Sequence, residues 1–258
     1  MERRFEKRVA IVTGAASGMG AAIAERLAAE GAAVLVTDVQ EEKGQQVAAG
    51  CGAEFRRLDV ADKAGWDALI EEIEQRHGRL DILVNNAGML GKGSIEDVDL
   101  AAWDRTLGVN LTGVMLGCRA AIGLMKRNRD PDGGAIVNTS STAAFGAIAD
   151  DIAYTASKSG VRMLSKAIAV HCARKGYKIR CNSLHPGAVS TSIHDGIRET
   201  AGDAAIDGFL ANMSPLGRVG TPAEIAAFVA FLCSDEAQFL TASDYLADGG
   251  CLAPHPSV

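Results

Sequence analysis

Short runs of consecutive apolar residues alternate with longer amphipathic stretches along this chain. Val9-Ala10-Ile11-Val12-Thr13 and Ala33-Val34-Leu35-Val36-Thr37 are typical of strands that are buried on both faces. The predicted strands cover residues 9–13, 33–37, 55–60, 82–84, 135–139, 179–184 and 245–247. Strands separated by helical stretches predict an α/β fold.

Between these strands, apolar residues recur with helical spacing. The predicted helices include residues 63–77 and 101–127, one helix through Ile23 and Leu27, and one with Val161, Leu164, Ile168 and Cys172 on one face. Thr221-Pro222-Ala223-Glu224 combines an N-cap, a first-turn proline and the acidic residue of a capping box. This segment therefore marks the start of the last helix.

Composition narrows the classes of function. The 258 residues, 48% of them hydrophobic and 22% charged, suit one α/β domain with a substantial core. The net charge of −6 argues against nucleic acid or an anionic membrane as the main partner. No apolar run approaches the roughly 18 residues that span a bilayer, and the charged start, residues 1–8, is no signal peptide. The six scattered cysteines lack C-x-x-C pairing, which indicates reduced thiols in a cytoplasmic protein and no metal site.

A glycine-rich turn follows the first strand. Gly14, Gly18 and Gly20 are spaced G-x-x-x-G-x-G, with Ser17 and Met19 among the residues between them. Glycine lets the backbone turn sharply and approach a pyrophosphate, and the N-terminus of the next helix attracts negative charge. A tight strand–helix junction is the alternative. The position between a buried strand and an amphipathic helix favours a dinucleotide site.

Asp38 ends the second strand. A carboxylate there can accept hydrogen bonds from the adenosine ribose and repels a 2′-phosphate. Val39 and Gln40, which follow it, and Ser17 in the glycine turn supply no positive charge. We therefore expect NAD rather than NADP. The alternative is an aspartate that caps the helix beginning near Glu41.

Two further strand ends point to the same cofactor. Asp59 and Val60 end the third strand, where Asp59 can meet the adenine amino group or simply cap the next helix. Asn85-Asn86-Ala87-Gly88 closes the fourth strand. Its small residues let the backbone run close to a cofactor, and Asn86 can bond neighbouring backbone groups. Taken alone, this segment is also compatible with a plain loop.

Asn110 lies in an otherwise apolar part of the predicted helix 101–127. Asparagine is a mediocre residue for a helix interior, so a buried one needs a reason. It either deforms the helix and holds a water near the active lysine, or satisfies a nearby backbone group.

The candidate chemistry centres on Tyr154 and Lys158, which share one helix face if this segment is helical. The unperturbed pKa of tyrosine is about 10, and we expect the neighbouring ammonium to lower it. The strand 135–139 delivers Ser140 and Ser141 to its carboxyl end, where ligands bind in open α/β sheets. A serine can hold an oxygen whose proton the tyrosine moves, while hydride passes to or from a nicotinamide. The tyrosine–lysine pair alone is weak, since chance supplies it in about one such chain in ten.

The last third of the chain offers further candidates. His185, at the end of the sixth strand, is more often structural than a general base, because no partner carboxylate is visible. Thr191 can contact the nicotinamide carboxamide or the phosphates. Residues from about 192 to 220 form a candidate lid over an apolar substrate, or a packed surface helix pair. We expect the tail, residues 254–258, to lie across a surface or a neighbouring subunit.

Together these segments resemble the short-chain dehydrogenase/reductase family over nearly the whole chain. The matching motifs are Thr13-Gly14-x-x-x-Gly18-x-Gly20, Asp59-Val60, Asn85-Asn86-Ala87-Gly88, Asn110, Ser141, Tyr154-x-x-x-Lys158 and Pro186-Gly187. The resemblance implies a single-domain, doubly wound (Rossmann) seven-stranded parallel sheet with helices on both faces, usually assembled as a homotetramer or dimer. It implies the catalytic residues Asn110, Ser141, Tyr154 and Lys158. Ser141 rather than Ser140 is the implied active serine, because family members place it thirteen residues before the tyrosine.

The implied cofactor site extends along the whole chain. It comprises Gly14, Ser17, Gly18, Met19, Gly20, Asp38, Asp59, Val60, Asn86, Ala87, Gly88, Tyr154, Lys158, Pro186, Gly187, Val189 and Thr191. Lys158 would also bond the nicotinamide ribose. The segment from Arg174 to Pro186 is similar to bacterial hydroxysteroid and alicyclic secondary-alcohol dehydrogenases, whereas Ala247 replaces the more usual valine before Asp-Gly-Gly.

We therefore expect an NAD-dependent dehydrogenase of a bulky or cyclic secondary alcohol, hydroxysteroids included. Its only partners would be the small-molecule alcohol or ketone and copies of itself. One alternative is an NADP-dependent ketoacyl-type reductase, which Asp38 argues against. Another is a non-catalytic dinucleotide sensor, for which an intact Ser141, Tyr154 and Lys158 would have no chemical use. Sugar-nucleotide epimerases share the tyrosine and lysine, but the C-terminal part here is too short for their substrate domain.

Overall fold

A parallel seven-stranded sheet forms the centre of the molecule, in the strand order β3-β2-β1-β4-β5-β6-β7. The computed structural model describes residues 3–128, 133–191, 208 and 210–253. The strands are β1 (Val9–Thr13), β2 (Ala33–Asp38), β3 (Glu54–Arg57), β4 (Ile82–Asn85), β5 (Gly134–Thr139), β6 (Ile179–Pro186) and β7 (Asp244–Ala247).

Helices connect the strands and cover both faces of the sheet. They are α1 (Gly18–Ala29), α2 (Glu41–Cys51), α3 (Lys63–His77), α4 (Leu100–Leu107), α5 (Gly113–Met125), α6 (Ile152–Arg174) and α7 (Pro222–Cys233). A π-helical turn, Gly108–Thr112, joins α4 to α5, and 3-10 turns lie at Thr142–Ala144 and Asp235–Ala237.

Alternate residues of the central strands belong to two separate cores. In β1, Ala10 and Val12 pack with the helices α1 and α7, whereas Val9 and Ile11 pack with α3, α5 and α6. A strand that is buried on both faces needs apolar residues at every position, which explains the continuous apolar runs of the sequence. The predicted doubly wound α/β fold is confirmed.

The order of the strands reverses at β1. This strand pairs with β2 on one side and with β4 on the other, so the connections that leave β1 and β4 diverge to opposite faces of the sheet. In open parallel sheets such a reversal opens a crevice outside the carboxyl ends of the strands, where ligands bind. Those strand ends carry the candidate residues.

Two strand boundaries differ from the sequence prediction by more than one residue, and all the others agree to within one residue. The strand β3 ends at Arg57 rather than residue 60, because its pairing with β2 stops where Asp38 meets Arg57. The strand β6 continues to Pro186, since its pairing with β7 extends to Pro186 and Ala247. Asp59 therefore lies in the loop beyond its strand, while Pro186 lies within one.

The predicted continuous helix 101–127 is wrong in one respect, because the π-helical turn at Gly108–Thr112 interrupts it. The whole stretch Leu100–Met125 is long and apolar enough to cross a bilayer by length and composition. Core helices of globular proteins pass the same test. Here Val114, Cys118 and Leu124 pack in the core with α3 and α6.

The start of the last helix follows the sequence prediction in detail. The hydroxyl oxygen of Thr221 accepts a hydrogen bond from the Glu224 N–H, and the Glu224 carboxylate accepts one from the Thr221 N–H at 2.8 Å. The predicted lid at 192–220 lies partly outside the described residues, and the tail 254–258 lies wholly outside them.

Candidate active site

The glycine turn after β1 is folded so tightly that side chains would not fit. Gly14 has a φ of +62°, and a Cβ on it would lie 2.7 Å from the Cα of Ala87. A Cβ on Gly20 would lie 2.2 Å from the carbonyl oxygen of Gly14. Gly18 also has a positive φ, and a Cβ there would approach Thr191 to 3.2 Å. The turn brings backbone, rather than side chains, to the crevice.

Asn86 joins this turn to the end of β4. Its Nδ2 donates to the carbonyl oxygens of Thr13 and Gly14, both at 3.1 Å. In return, the Thr13 hydroxyl oxygen accepts hydrogen bonds from the backbone N–H groups of Asn86 and Ala87. The Oδ1 of Asn86 is buried and has no partner among the described residues, so it is available to a donor from a ligand.

A cavity of about 330 Å³ opens beside the glycine turn. Its walls include Gly14, Ser17, Gly18, Met19, Asp38, Asp59, Val60, Asn86, Ala87, Gly88 and Thr191, all predicted from the sequence as cofactor-binding residues. Gln40, Leu58, Met89 and Val109 also line it and were not predicted. These four residues are not part of a recognisable sequence motif, so only their position in the fold reveals that they line the cavity.

Asp38 lies at the wall of this cavity and is largely buried. Its Oδ2 accepts the Ala16 N–H at 3.0 Å, and its Oδ1 accepts the Gln40 N–H at 2.9 Å. Asp38 thus supports the glycine turn and the entry to α2 at once. Each carboxylate oxygen has more than one lone pair, so acceptance from a ribose hydroxyl remains open to it.

The alternative of Asp59 as a helix cap is wrong. Its Oδ1 accepts the Ala61 N–H at 2.9 Å, which shapes the loop after β3. Asp62 is the N-cap of α3 instead and accepts the Ala64 N–H. Asp59 is exposed and lines the cavity beside Val60, where an adenine ring would lie if a dinucleotide fills the site.

A second cavity, of about 470 Å³, is lined by three of the four candidate catalytic residues, and Asn110 is not among its lining residues. Ser141, Tyr154 and Lys158 line it together with Pro186, Gly187, Val189 and Thr191. Met19, Asn86, Gly88 and Thr191 line both cavities, so the two adjoin. The fold thus brings three residues of the catalytic motif to the end of the first cavity, which is the candidate dinucleotide groove.

The two adjacent serines have different environments. Ser140 is buried, and its hydroxyl donates to the carbonyl oxygen of Lys158 at 2.7 Å, which ties β5 to α6. Ser141 is the N-cap of the 3-10 turn, and its Oγ accepts the Ala143 N–H at 3.1 Å. The Ser141 side chain also lowers the pKa of Tyr154 through hydrogen bonding, against the larger effect of burial. Ser141 is therefore the serine that is placed to act with the tyrosine.

The electrostatics of Tyr154 differ from the sequence expectation. Burial raises the pKa of Tyr154, and the negative charge of Asp151 raises it further, against a lowering by the Ser141 hydrogen bond. The expected lowering by Lys158 is wrong for this arrangement. Its Nζ lies 5.5 Å from the centre of the Tyr154 ring and donates instead to the carbonyl oxygen of Thr139 at 2.9 Å. Burial lowers the pKa of Lys158 to about 8.

Asn110 lies at the centre of the π-helical turn and is completely buried. Its Oδ1 accepts the Met89 N–H at 2.9 Å, and its Nδ2 donates to the Met89 carbonyl oxygen and to the Ser157 hydroxyl. The side chain satisfies the backbone of Met89, as the second alternative predicted. The helix is also deformed here, as the first alternative predicted, and the water near the lysine stays a prediction. A Cβ on Gly88 would lie 3.4 Å from the Asn110 Oδ1.

His185 is buried behind Ser141 and is not one of the residues that line the catalytic cavity. The sequence showed no carboxylate for it, whereas the fold places the Asp244 Oδ1 3.6 Å from its Nε2. The two residues come from neighbouring strands, β6 and β7, which are separated by α7 in the sequence. Only the pairing of these strands reveals the contact.

The residues present fit a dinucleotide. Glycines without room for a Cβ leave the backbone N–H groups of the first turn close to the crevice, which is what a pyrophosphate requires. The unpartnered Asn86 Oδ1 and the Asp38 carboxylate supply acceptors along the groove. The Lys158 ammonium supplies a donor at the catalytic end.

Comparison with known proteins agrees with this architecture. The family model described as Enoyl-(Acyl carrier protein) reductase matches residues 14–251. Levodione reductase, a solved structure, superposes with a TM-score of 0.90 at 35% identity, over 97% of this chain and 100% of that one. The fold of the two chains is therefore the same.

Several curated relatives are similar in sequence over their whole length. A trans-4-hydroxycyclohexanecarboxylate dehydrogenase from Sinomonas cyclohexanicum is 39% identical, over 96% of this chain and 93% of that protein. A 3-alpha-(or 20-beta)-hydroxysteroid dehydrogenase from Mycobacterium bovis is 39% identical, over 98% and 92%. An NADP-dependent (R)-specific alcohol dehydrogenase from Lentilactobacillus kefiri is 36% identical, over 98% and 100%. The chain belongs to the short-chain dehydrogenase/reductase family and is an oxidoreductase of its secondary-alcohol and hydroxysteroid type.

Proposed function

We propose that this protein is an NAD-dependent oxidoreductase that interconverts a bulky or cyclic secondary alcohol and its ketone. The observation that carries the proposal is the placement of Ser141, Tyr154 and Lys158 around one cavity that adjoins the dinucleotide groove. A bound nicotinamide would supply or accept the hydride. Side chains of this protein would bind and orient the substrate and transfer the proton.

Tyr154 is the acid and base of the proposed reaction. Because burial raises its pKa, the phenol is protonated at neutral pH and can donate to the oxygen of a ketone. In the oxidative direction the phenolate takes the proton of the alcohol, so this direction requires a higher pH. Ser141 holds the reacting oxygen beside the phenol.

Lys158 and Asn110 hold this arrangement together. The Lys158 ammonium is fixed by the Thr139 carbonyl oxygen and would donate to the ribose of the cofactor. Asn110 binds Met89 and Ser157, and so joins the loop after β4 to the helix that carries Tyr154. We assign both residues to positioning the cofactor and the tyrosine.

The apolar wall of the catalytic cavity supports a bulky substrate. Leu90, Ile148, Leu210 and Met213 line it opposite the polar residues, and a volume of about 470 Å³ accommodates a ring system. Lys92, Asp150 and Asp151 lie at the same cavity, so its charges do not select strongly for an anion. Cyclohexane and steroid rings occur in the names of two relatives.

Asp38 supports NAD over NADP. Its buried carboxylate would face the 2′-phosphate of NADP, and like charges at short distance are strongly unfavourable. One relative is NADP-dependent, so the family as a whole does not decide the cofactor. A comparison of kcat/KM for NAD and NADP tests this part, and a preference for NADP would contradict it.

The direct test is an absorbance assay for NADH over a panel of cyclic alcohols, hydroxysteroids and linear secondary alcohols. We expect turnover of ring-bearing members, with linear alcohols slower. Absence of turnover with NAD still bound would favour the alternative of a non-catalytic dinucleotide sensor. Turnover of ketoacyl thioesters with NADPH, and of no other substrate, would favour the ketoacyl-type reductase.

We also propose a homotetramer. Leu100 on α4 and Met163 and Val170 on α6 expose large apolar side chains, with Leu100 74% exposed. A second copy of the chain would remove this surface from water. Light scattering of the wild type and of Met163→Glu tests the assembly, and a wild-type monomer would contradict it.

A cytoplasmic location completes the proposal. All six cysteines are free thiols, and Cys118, Cys172, Cys181 and Cys233 are buried. Free thiols persist in a reducing compartment, which supports this location. Fractionation of the source cells with an antibody tests it, and recovery outside the cytoplasmic fraction would contradict it.

A further inference from the structure

His185 is hydrogen-bonded to the backbone of Ser141, the candidate active serine. Its Nδ1 lies 3.1 Å from the backbone carbonyl oxygen of Ser141. A carbonyl oxygen only accepts hydrogen bonds, so Nδ1 must carry a proton and donate it. The imidazole is completely buried, and this hydrogen bond therefore forms without competition from bulk water.

The same ring also contacts the other end of the turn that begins at Ser141. Ser141 and Phe145 flank the 3-10 turn Thr142–Ala144. The Phe145 ring meets the His185 ring edge-on, with 4.8 Å between the ring centres, and the Arg162 guanidinium packs on Phe145 at 4.0 Å. His185 therefore fixes both ends of this turn.

The second ring nitrogen determines where the proton lies. The Nε2 is 3.0 Å from the Ser183 hydroxyl oxygen and 3.6 Å from the Asp244 Oδ1. Burial lowers the pKa of His185, against the opposing effects of the Ser141 carbonyl and Asp244, so the ring is neutral at pH 7. With the proton on Nδ1, Nε2 is an acceptor, and the Ser183 hydroxyl is the donor at hydrogen-bond distance.

The charge of Asp244 is neutralised by other residues. Its Oδ2 lies 2.8 Å from the Arg162 Nε and 2.9 Å from the Lys166 Nζ. The Ser183 hydroxyl lies 2.8 Å from Oδ1 and 3.4 Å from the Ser243 carbonyl oxygen, so its single proton can go to Asp244, to His185 or, at the longest distance, to Ser243. If His185 becomes protonated, Ser183 turns to Asp244, and the Nδ1–H bond to Ser141 persists in both states.

From this geometry we propose that His185 is a positioning residue for Ser141. Its Nδ1–H holds the peptide unit after Ser141, and Ser183 selects the tautomer that makes this possible. The inference rests on the proposed function, since it gives Ser141 the task of holding the reacting oxygen. The Ser141 Oγ accepts a hydrogen bond from the Ala143 N–H within this turn. The orientation of the turn therefore sets the direction in which the Ser141 hydroxyl can donate its proton. Loss of the anchor would let the turn rotate and misplace the hydroxyl.

Two substitutions of similar polarity distinguish positioning from packing. In His185→Asn the side-chain amide nitrogen is bonded to Cγ, as Nδ1 is, and can still donate to the Ser141 carbonyl. In His185→Gln the nitrogen lies one atom farther out, where Nε2 was. We expect kcat of the Asn variant to stay within about threefold of wild type, and kcat of the Gln variant to fall about tenfold or more. The NAD dissociation constant should change less than about twofold in both, because neither contacts the dinucleotide groove.

The readouts are steady-state kinetics on the best alcohol of the panel, melting temperature, and nitrogen NMR of the histidine rings. An equal loss of kcat in both variants, or no loss in either, would overturn the proposal. Ser183→Ala should lower kcat severalfold and move the ring proton to Nε2. With five histidines in the chain, the signal that disappears in His185→Asn identifies His185.

The NMR signal also keeps the two proposals apart. A wild-type protein that turns over no member of the panel would contradict the proposed function. In that case a ring proton on Nδ1 would still support the anchoring of Ser141, and a ring proton on Nε2 would overturn it. If one His185 variant fails to fold, the other still identifies the His185 signal by its disappearance, and the tautomer itself is read from the wild-type spectrum.

Discussion

The dinucleotide groove and the catalytic cavity differ in the kind of residue that forms them. Around the groove, Gly14, Gly18 and Gly20 leave room for a ligand because they have no side chains. The cavity, by contrast, is lined by polar side chains such as Ser141 and Lys158, each of which is hydrogen-bonded to a specific backbone group. One site depends on space, and the other depends on hydrogen bonds.

This difference decides how each site responds to change. A methyl group added at Gly14 meets the backbone of Ala87 in the loop after β4, and one added at Gly20 meets the carbonyl oxygen of Gly14. A polar group removed from the catalytic cavity leaves the cavity intact but leaves its partners unsatisfied. Substitutions in the groove should therefore affect cofactor binding, and substitutions in the cavity should affect turnover.

The largest effect should come from Tyr154→Phe. This variant keeps the ring and loses only the hydroxyl, so we expect kcat to fall about a thousandfold or more while NAD binding stays within about twofold. Stopped-flow or steady-state NADH absorbance measures kcat, and fluorescence titration measures the affinity for NAD.

Tyr177→Phe is the matched control, because this tyrosine packs near His171 and Lys126, away from the catalytic cavity. Its activity should equal that of the wild type. Substantial residual turnover in Tyr154→Phe would show that Tyr154 is not the acid and base of the reaction. A parallel loss of NAD binding would show that substitutions in the cavity and in the groove do not have separate effects.

Gly14→Ala should have the next largest effect, on the other site. The new Cβ would lie 2.7 Å from the Cα of Ala87, in a backbone conformation with φ of +62°. Such strain costs about 1–3 kcal/mol, so we expect NADH to bind about tenfold or more weakly and the melting temperature to fall. Gly123→Ala in α5 is the control, since nothing lies within 4 Å of its added Cβ.

The control should be neutral or slightly stabilising, because alanine favours a helix interior over glycine by about 0.5–1 kcal/mol. Calorimetry and NADH titration of both variants measure the pair. If Gly14→Ala lowered kcat without changing NADH affinity, the assignment of the glycine turn to cofactor binding would be wrong.

Asp38→Asn should shift the cofactor preference by about tenfold towards NADP, as a ratio of kcat/KM values. The amide removes the negative charge and keeps the shape of the side chain. Asp59→Asn is the matched control, because Asp59 lines the same cavity beside Val60. An equal shift in both variants would show that total charge near the groove, rather than Asp38, sets the preference.

The smallest of these effects concerns pH. The raised pKa of Tyr154 keeps the phenol protonated at neutral pH, and that form is lost as the pH rises through the pKa. The proton-donating direction, ketone reduction, should therefore be favoured near neutral pH, and alcohol oxidation should accelerate severalfold from about pH 7 to 9. Initial rates in both directions measure this. Oxidation that slows over the same interval would contradict it.

Much of the fold follows directly from the pattern of residues. Continuous apolar runs such as Val9–Thr13 are required in strands that are covered on both faces, so the strands were identifiable, and the capping box at Thr221 fixed the start of α7. The ends of elements were less certain. Whether β6 stops at residue 184 or at Pro186 depends on how far β7 pairs with it.

The groove and the cavity also differ in how far the sequence predicts them. Glycine spacing is local, so the turn at 14–20 was found directly, and the residue types of the cavity were found through the family pattern. The direction of the Tyr154 pKa shift was not predicted from the sequence. It depends on burial and on Asp151, whose carboxylate accepts a hydrogen bond from the Tyr154 N–H at the start of α6.

Patterns within the sequence predict the seven strands and the position of the glycine turn, and they single out Ser141, Tyr154 and Lys158 as the candidate catalytic motif. These residues lie close together in the chain, so their spacing alone reveals them. The hydrogen bond between Asn110 and Met89, and the contacts of His185 with Ser141 and Asp244, become visible only in the folded structure. Such contacts join residues that are far apart in the chain, and they exist only once the sheet has brought its strands side by side.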